Sequence, residues 1–392
     1  MSHFSRIGGE LHAEKIPLAA LATEYGTPCY IYSRSAMEQA WQALDSALAP
    51  HPHQICYAVK ANSNLAVLDL MARQGSGFDV VSEGELARVI AAGGDPAKVV
   101  FSGVAKTDQE LHQALQSGVG CINLESTSEI TRLENMANQM GVIAPVALRV
   151  NPDVDANTHP YISTGLKENK FGVDITQAAA IYQRLHQSPV LEAVGIDCHI
   201  GSQLTDLGPL RDAISRILAL ADDLHAEGIT LEHIDVGGGL GIRYQNEQPP
   251  TFAEYAALLV EMFSGRPETI VCEPGRSLVG NAGLLLTRVI GLKPGADHNF
   301  ALVDAAMNDL LRPALYNAWH DIEPIDEAAA VPAMPWDLVG PVCETGDFLG
   351  KNRRLALAEG DLLAVMSCGA YGFTMASNYN SRPHPAEVMV DG

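Results

Sequence analysis

The sequence is poor in positive charge. Against 47 Asp and Glu stand only 25 Lys and Arg, a formal net charge of −22. That balance excludes nucleic acid and anionic membrane as partners, because both call for a basic patch. Long apolar runs are also missing. No stretch approaches the ~20 residues that a membrane-spanning helix needs, and the opening MSHFSRIGGELHAEKIP lacks the apolar core of a secretory signal. Cysteine is sparse: seven residues, an odd count, with no C-x-x-C spacing. Neither a disulfide framework nor a zinc site follows, so no metal is expected. What the chain has is apolar bulk, 47% of 392 residues, with 18% charged. It reads as an ordered, acidic, cytoplasmic enzyme of two or three domains, or of one large barrel and a companion.

The apolar content is arranged in a rhythm. Short β-rich runs at 55–59, 78–81, 99–102, 121–123, 146–150, 195–200, 233–236 and 269–273 alternate with helix-period segments at 65–73, 83–92, 108–116, 129–140, 178–187, 210–226 and 252–263. Alternation of this kind means parallel strands with helical crossovers, and eight strands close a barrel. The expected fold is therefore a TIM-like (β/α)8 barrel over residues 34–276, with a doubly wound open sheet as the alternative. After Ser277 the helix period fades, and β-like runs follow at 284–290, 300–303, 337–339, 362–366 and 386–390. Another lies at 28–32. Residues 277–392 are expected to form a mainly-β C-terminal domain that also takes in the N-terminal segment 1–33.

Polar residues recur where the eight runs end: Lys60, Asp79, Ser102, Asn123, Arg149, His199, Gly237, Gly238, Gly239 and Glu273. Barrel enzymes carry their chemistry at those C-terminal strand ends. A lysine leaving an apolar strand, as in ICYAVKAN, is either a rim lysine or a desolvated amine able to form a Schiff base. The triplet in HIDVGGGLG is either a tight turn or a phosphate cradle, and it follows the seventh run, where barrel phosphate sites recur. CEPGRS follows the eighth. Glu273, at the end of an apolar run, must pair with an arginine or face a cationic ligand group. His199 is open to several roles: metal ligand, base or a stacking ring. The segment HPYISTGLKENKFG (159–172) reads as a functional loop. Lysine, glycine turn and carboxylate together suit pyridoxal phosphate held in a barrel.

These stretches, with FDVVSEGE, CHIGSQ, RPALY, GPVCETGDFL, GAYGF and the terminal SNYNSRPHPAEVMVDG, occur in an order that resembles the alanine-racemase-like barrel enzymes. Within them the chain resembles the group IV amino-acid decarboxylases, above all the branch acting on diaminopimelate. The resemblance implies pyridoxal 5′-phosphate bound as a Schiff base to Lys60. It gives Glu273 the pyridine nitrogen, His199 the ring face, and Asp79 a place near cofactor and lysine. Ser202, Gly239, Gly275, Arg276 and Tyr371 become phosphate and positioning groups. Cys343, which on its own reads more readily as a small buried hydrophobe, becomes the acid that reprotonates the α-carbon; a thiol of ordinary pKa ~8.5 can serve.

The implied reaction is decarboxylation of meso-2,6-diaminopimelate to L-lysine and CO2, the last step of lysine biosynthesis. Arg276, Arg312 and Tyr316 would meet the distal carboxylate, and Glu344 and Tyr371 the amino end. Arginine suits that task because its fork matches a carboxylate. The implied assembly is a homodimer whose Cys343 loop reaches the partner's site. A decarboxylase of D-lysine, ornithine or arginine, and a non-catalytic cofactor carrier, remain the alternatives. Cys368-Gly369 and His384-Pro385 depart from the usual family pattern, without touching any of the implied roles.

Overall fold

The computed structural model describes residues 3–155, 170–326 and 332–392. The chain divides into two compact units: Trp41–Gly241 with Gln248–Ser277, and Met1–Ala40 with Ile242–Glu247 and Leu278–Gly392. In the first, eight parallel strands follow one another around a ring: His53–Ala58, Gly77–Val80, Val99–Phe101, Cys121–Leu124, Ala144–Asn151, Leu191–Asp197, His233–Asp235 and Thr269–Cys272. The eighth pairs with the first, Ile270 opposite His53, so the sheet closes and the open-sheet alternative falls.

Six of the seven connecting helices start where the sequence supplies a cap; Gly208–Ala226 follows Leu207, which gives none. Asn64, Ser82, Thr107, Ser126, Asp174 and Thr251 each accept a backbone N–H of the first helical turn, satisfying donors that the helix itself cannot. Gly118 and Gly141 end two of the helices in the left-handed conformation, which glycine adopts without a Cβ penalty.

Inside the ring, Cys56, Val100, Cys121, Ala147, Val194 and Val271 pack as one apolar cluster. Side chains alternate across a strand, so the next inward positions toward the C-terminal end are Ser102, Asn123, Arg149 and Glu273. The register sets Asp79 opposite Ala58, and Asp197 opposite both Arg149 and Asp235. An apolar layer is thus capped by a polar one.

In the second unit, Gly283–Lys293 is the central strand. It pairs antiparallel with Cys29–Ser33, Phe300–Val303 and Leu362–Val365, and Ala386–Val390 runs parallel to Cys29–Ser33. The two chain ends therefore share one sheet. A core of Leu11, Leu18, Leu21, Ile31, Leu284, Leu286, Ile325 and Val390 binds the first residues to the last.

Several elements go beyond the sequence expectation. Helix Arg34–Leu48 buries Met37, Trp41, Leu44 and Leu48, an i, i+4, i+7 stripe that the sequence does carry. Strand Phe348–Leu355, FLGKNRRL, pairs with Met334–Val339 at the end of the sheet. Its Lys-Asn-Arg-Arg run conceals it, as charged edge strands do. The hairpin Phe4–Ile7 and Glu10–Ala13 is too short and polar to signal itself.

One buried ion pair ties the barrel's strand ends together. Lys106 Nζ donates to Gly103 O at 2.8 Å, Asn123 O at 2.5 Å and Glu129 Oε1 at 3.0 Å, and both charged side chains are almost fully enclosed. Replacing Lys106 with Met strands a buried carboxylate, so Lys106→Met should lower unfolding free energy by about 3–5 kcal/mol in denaturant titration. A loss below 1 kcal/mol would mean that the pair is dispensable.

Candidate active site

Lys60 lies beyond the strand proper, in the single 3-10 turn Val59–Ala61. Its ammonium, partly exposed at the barrel mouth, is bound to the fully enclosed Asp79 carboxylate. Asp79 comes from the second strand and Lys60 from the end of the first, so neighbouring strand ends bring amine and acid together.

Across the same layer, Asp197, Asp235 and Glu273 bring carboxyl oxygens within 4.8 Å of one another, all buried. Few cations answer them. Arg149 Nε is 3.8 Å from Asp197, and its Nη1 bonds Glu125 at 3.3 Å. Asp235 Oδ1 accepts from Gly237 N–H at 2.8 Å, while Asp79 Oδ1, Asp197 Oδ1 and Asp235 Oδ2 are buried without a hydrogen-bond partner. Glu273 has no arginine partner among the described residues; its neighbour is Ser102 Oγ at 3.5 Å. Desolvation dominates here. It pushes Glu273 and Asp235 well above the usual carboxylate range, with the adjacent acids adding to the rise. Asp197 is pushed up to about 7 by burial, against the pull of Arg149. The arginine-paired alternative for Glu273 falls, and the layer is left suited to an incoming cationic group.

His199 sits beside this layer. Its Nδ1 accepts the Gly238 N–H at 3.2 Å, which leaves the ring proton on Nε2. Burial first, then Arg149 and Lys60, hold its pKa well below the ordinary value, so the ring is neutral.

The glycines make a close-packed cradle. A Cβ at Gly238 would meet Glu273 O at 2.1 Å, and one at Gly239 (φ +104°) would meet Gly201 O at 2.3 Å. At Gly275 it would strike Ala61 and Ala58 Cβ, at 2.9 and 3.1 Å. Arg276 Nη2 donates to Ser202 Oγ at 3.1 Å, so the arginine after the eighth strand meets the serine after the sixth. Bare backbone beside an arginine and a hydroxyl is a phosphate site in chemical terms. With an amine on one side and an enclosed carboxyl on the other, the residues fit pyridoxal phosphate.

The remaining expected residues belong to the second unit. Helix Arg312–Tyr316 places Arg312 and Tyr316 one turn apart, on one face. Arg312 is buried and donates from Nη1 to His320 Nε2 at 2.9 Å, so it is no exposed surface pair. Cys343 is the one exposed cysteine of the seven, and the buried-hydrophobe alternative for it falls. Its N–H donates to Asn380 Oδ1 at 3.0 Å, and Tyr379 Oη donates to Glu344 at 2.5 Å. The buried Asp347 pins this loop by accepting the Val342 and Met307 N–H groups at 2.8 and 2.7 Å. Tyr371 holds a left-handed backbone (φ +55°), a conformation that a bulky residue keeps only under surrounding constraint. Cys368 Sγ lies 3.6 Å from the Nδ1 of His320, which in turn bonds Arg312.

Sequence reasoning passed over Asp197 and Asp235. Both end apolar runs, as Glu273 does, and the same desolvation logic would have found them. His320 and Tyr244 gave no comparable signal, because both act through contacts distant in sequence. Most of the 159–172 segment, residues 159–169, lies outside the described residues.

Comparison with known proteins agrees with this geometry. Residues 34–280 match the family described as pyridoxal-dependent decarboxylase, pyridoxal binding domain. The diaminopimelate decarboxylase of Vibrio cholerae is 60% identical over 98% of this chain and 92% of its own length. That of Pseudomonas aeruginosa is 59% identical over 100% and 94%. The crystal structure of diaminopimelate decarboxylase from Helicobacter pylori with L-lysine superposes with a TM-score of 0.92 at 43% identity, covering 95% of this chain and 94% of that one.

The acid layer has a consequence for stability. Folded Asp197 keeps a proton up to about pH 7, whereas the unfolded chain releases it near pH 4. Its contribution is therefore complete at low pH and is lost as pH rises to 7. His199 and His233 (the latter pushed down to about 4 by burial) act in the opposite sense below pH 6.5 and are common to any variant. In ligand-free protein, Asp197→Asn should lose about 2 kcal/mol less stability than the parent between pH 5.5 and 7.5. Identical pH slopes in denaturant titration would mean that Asp197 ionises normally.

Proposed function

This chain belongs to the pyridoxal-dependent decarboxylases and, among them, to the diaminopimelate decarboxylases, and we infer from that premise that it converts meso-2,6-diaminopimelate to L-lysine and CO2, the last step of lysine biosynthesis. The observation that supports this most strongly is the pairing of Lys60 with Asp79 in the same buried layer as Glu273. Pyridoxal 5′-phosphate, when bound, supplies the sink for the electron pair left behind as CO2 departs. Lys60 offers the amine that holds it, and Asp79 keeps that amine's charge in place between turnovers. Glu273 faces the pyridine nitrogen. An enclosed carboxyl that no arginine neutralises favours a proton on that nitrogen, where a cation would oppose it.

His199, neutral and fixed by Gly238, presents a flat ring to the cofactor face. Ser202, Gly239, Gly275, Arg276 and Tyr371 hold the phosphate. Arg276, Arg312 and Tyr316 take the substrate's distal carboxylate, and Glu344 and Tyr371 its amino end. Cys343 delivers the proton to the α-carbon. Its exposure and its loop, anchored by Asp347 and Asn380, support a part in a site completed across a homodimer. The working boundaries are residues 34–276 for the cofactor barrel and 1–33 with 277–392 for the β domain. Among the described residues no helix is long and apolar enough to cross a membrane, and the enzyme is assigned to the cytoplasm. The buried Arg312 speaks against a diamine-forming enzyme, whose substrates have no distal carboxylate to offer it.

Cofactor-loaded protein given isotope-labelled meso-diaminopimelate with unlabelled D- and L-lysine, L-ornithine and L-arginine should yield labelled lysine as the one decarboxylated product by mass; a diamine would overturn the substrate. Lys60→Ala should abolish the visible absorbance of the bound cofactor and turnover together, and retained turnover would overturn the role of Lys60. Cys343→Ala should keep the absorbance and lower kcat by about 10²–10⁴-fold, the usual share of a positioned general acid. A kcat unchanged by that substitution would remove Cys343 from the chemistry.

A further inference from the structure

We propose that His320 is the residue that aims Arg312, a neutral hydrogen-bond acceptor holding the guanidinium for the substrate's distal carboxylate. The proposal rests on the reading of Arg312 given above. His320 is fully buried. Its Nε2 accepts from Arg312 Nη1 at 2.9 Å, and its Nδ1 lies 2.8 Å from Met366 O. A guanidinium can only donate and a carbonyl can only accept. The ring between them must therefore carry one proton, on Nδ1, and offer the Nε2 lone pair to the arginine. A doubly protonated ring could not make the arginine bond.

Two further contacts lie against this pair. The Arg312 guanidinium stands 4.6 Å from the Tyr244 ring centroid, in cation–π contact. Tyr244 in turn meets His320 edge-on, centroids 5.3 Å apart at 77°. Cys368 closes the far side, its Sγ 3.6 Å from Nδ1 and 3.2 Å from Val365 O. Burial pushes this thiol up to about 12, so it adds no charge.

The choice of neutral partners has a physical meaning. A carboxylate in the place of His320 would hold Arg312 equally well, yet would form an ion pair and spend the field the arginine offers to a ligand. An imidazole acceptor fixes direction without cancelling charge. Other arginines in this chain meet carboxylates: Arg149 meets Glu125 and Asp197, and Arg266 meets Glu268 and Asp222. His320 touches neither the reacting carbon nor the cofactor in this scheme; it is a positioning residue.

The test compares His320→Phe, His320→Gln, Tyr244→Leu and Arg312→Ala as cofactor-loaded enzymes. L-lysine keeps the distal amino-carboxylate end, whereas cadaverine lacks it, so inhibition by the two probes separates aiming of Arg312 from general damage. His320→Phe should raise KM for meso-diaminopimelate and weaken L-lysine inhibition tenfold to hundredfold, the worth of a hydrogen bond to a charged group. It should change kcat less and leave cadaverine inhibition unaltered. His320→Gln, whose amide oxygen can accept from Arg312, should recover most of the loss. The proposal is overturned if His320→Phe leaves L-lysine inhibition intact, or weakens both probes alike, while Arg312→Ala is lysine-selective. Should Arg312→Ala itself lack that selectivity, the reading of Arg312 fails and takes the proposal with it. If the His320 variants do not fold, Tyr244→Leu must show the lysine-selective loss, and equal loss for both probes overturns it.

Discussion

Everything at the barrel mouth follows from the cost of enclosing carboxyl groups. Asp79, Asp197, Asp235 and Glu273 end four different strands and point into one layer that water does not reach. Lys60 and Arg149 are the cations beside them, and Arg149 is shared with Glu125. Coulomb repulsion and desolvation then act in the same direction, so part of the layer holds protons rather than charge. Such a cost is recovered where a cationic group enters, as the protonated ring nitrogen of the proposed cofactor would. The glycine cradle would answer the other end of that ligand. Its Cβ-free positions let strand exits from the sixth, seventh and eighth strands approach within contact of one another, and Ser202 and Arg276 complete it.

The second unit solves a different electrostatic problem by the opposite means. Three contacts described around Arg312 and His320 are an imidazole, a phenol ring and a thiol. In the proposed scheme the barrel layer receives a cationic group, and Arg312 of the β unit receives an anionic one. Cys343 illustrates a third requirement. The proton-donor role proposed for it calls for exposure and a fixed position, and the Asp347 bonds to two backbone N–H groups give the loop its shape without burying the thiol.

Much of this was readable from the chain. The eight runs of the barrel appear within a few residues of their observed bounds, because a buried parallel strand is continuously apolar and six of the seven connecting helices open on a capping residue. Lys60, Asp79, His199 and Glu273 were legible as polar residues at the ends of apolar runs, and the fold places them in one neighbourhood. Asp197 and Asp235 carried the same signal, hidden by the more conspicuous histidine and glycines that follow them. Strand Phe348–Leu355 escaped because its Lys-Asn-Arg-Arg run breaks the apolar signal and one of its buried residues is Arg353. The clamp on Arg312 was not legible at all. Tyr244, His320 and Cys368 are separated by 76 and 48 residues, and no local pattern marks a histidine as an acceptor rather than an acid or base. Cys368, read from sequence as a departure without consequence, belongs to that clamp.

The whole-molecule charge of −22 puts these local devices in proportion. Meso-diaminopimelate carries two ammonium and two carboxylate groups at neutral pH, so the protein's field neither draws it in nor repels it as a net ion. Discrimination has to be made at short range, end by end, where solvent screening is weakest. Against so acidic a background, an arginine whose charge were already spent on a neighbouring carboxylate would offer a second carboxylate little. An acidic protein that recognises a carboxylate through an arginine therefore gains from a neutral acceptor beside it. The proposed role of His320, with its proton directed to a carbonyl and its lone pair to Arg312, meets that requirement.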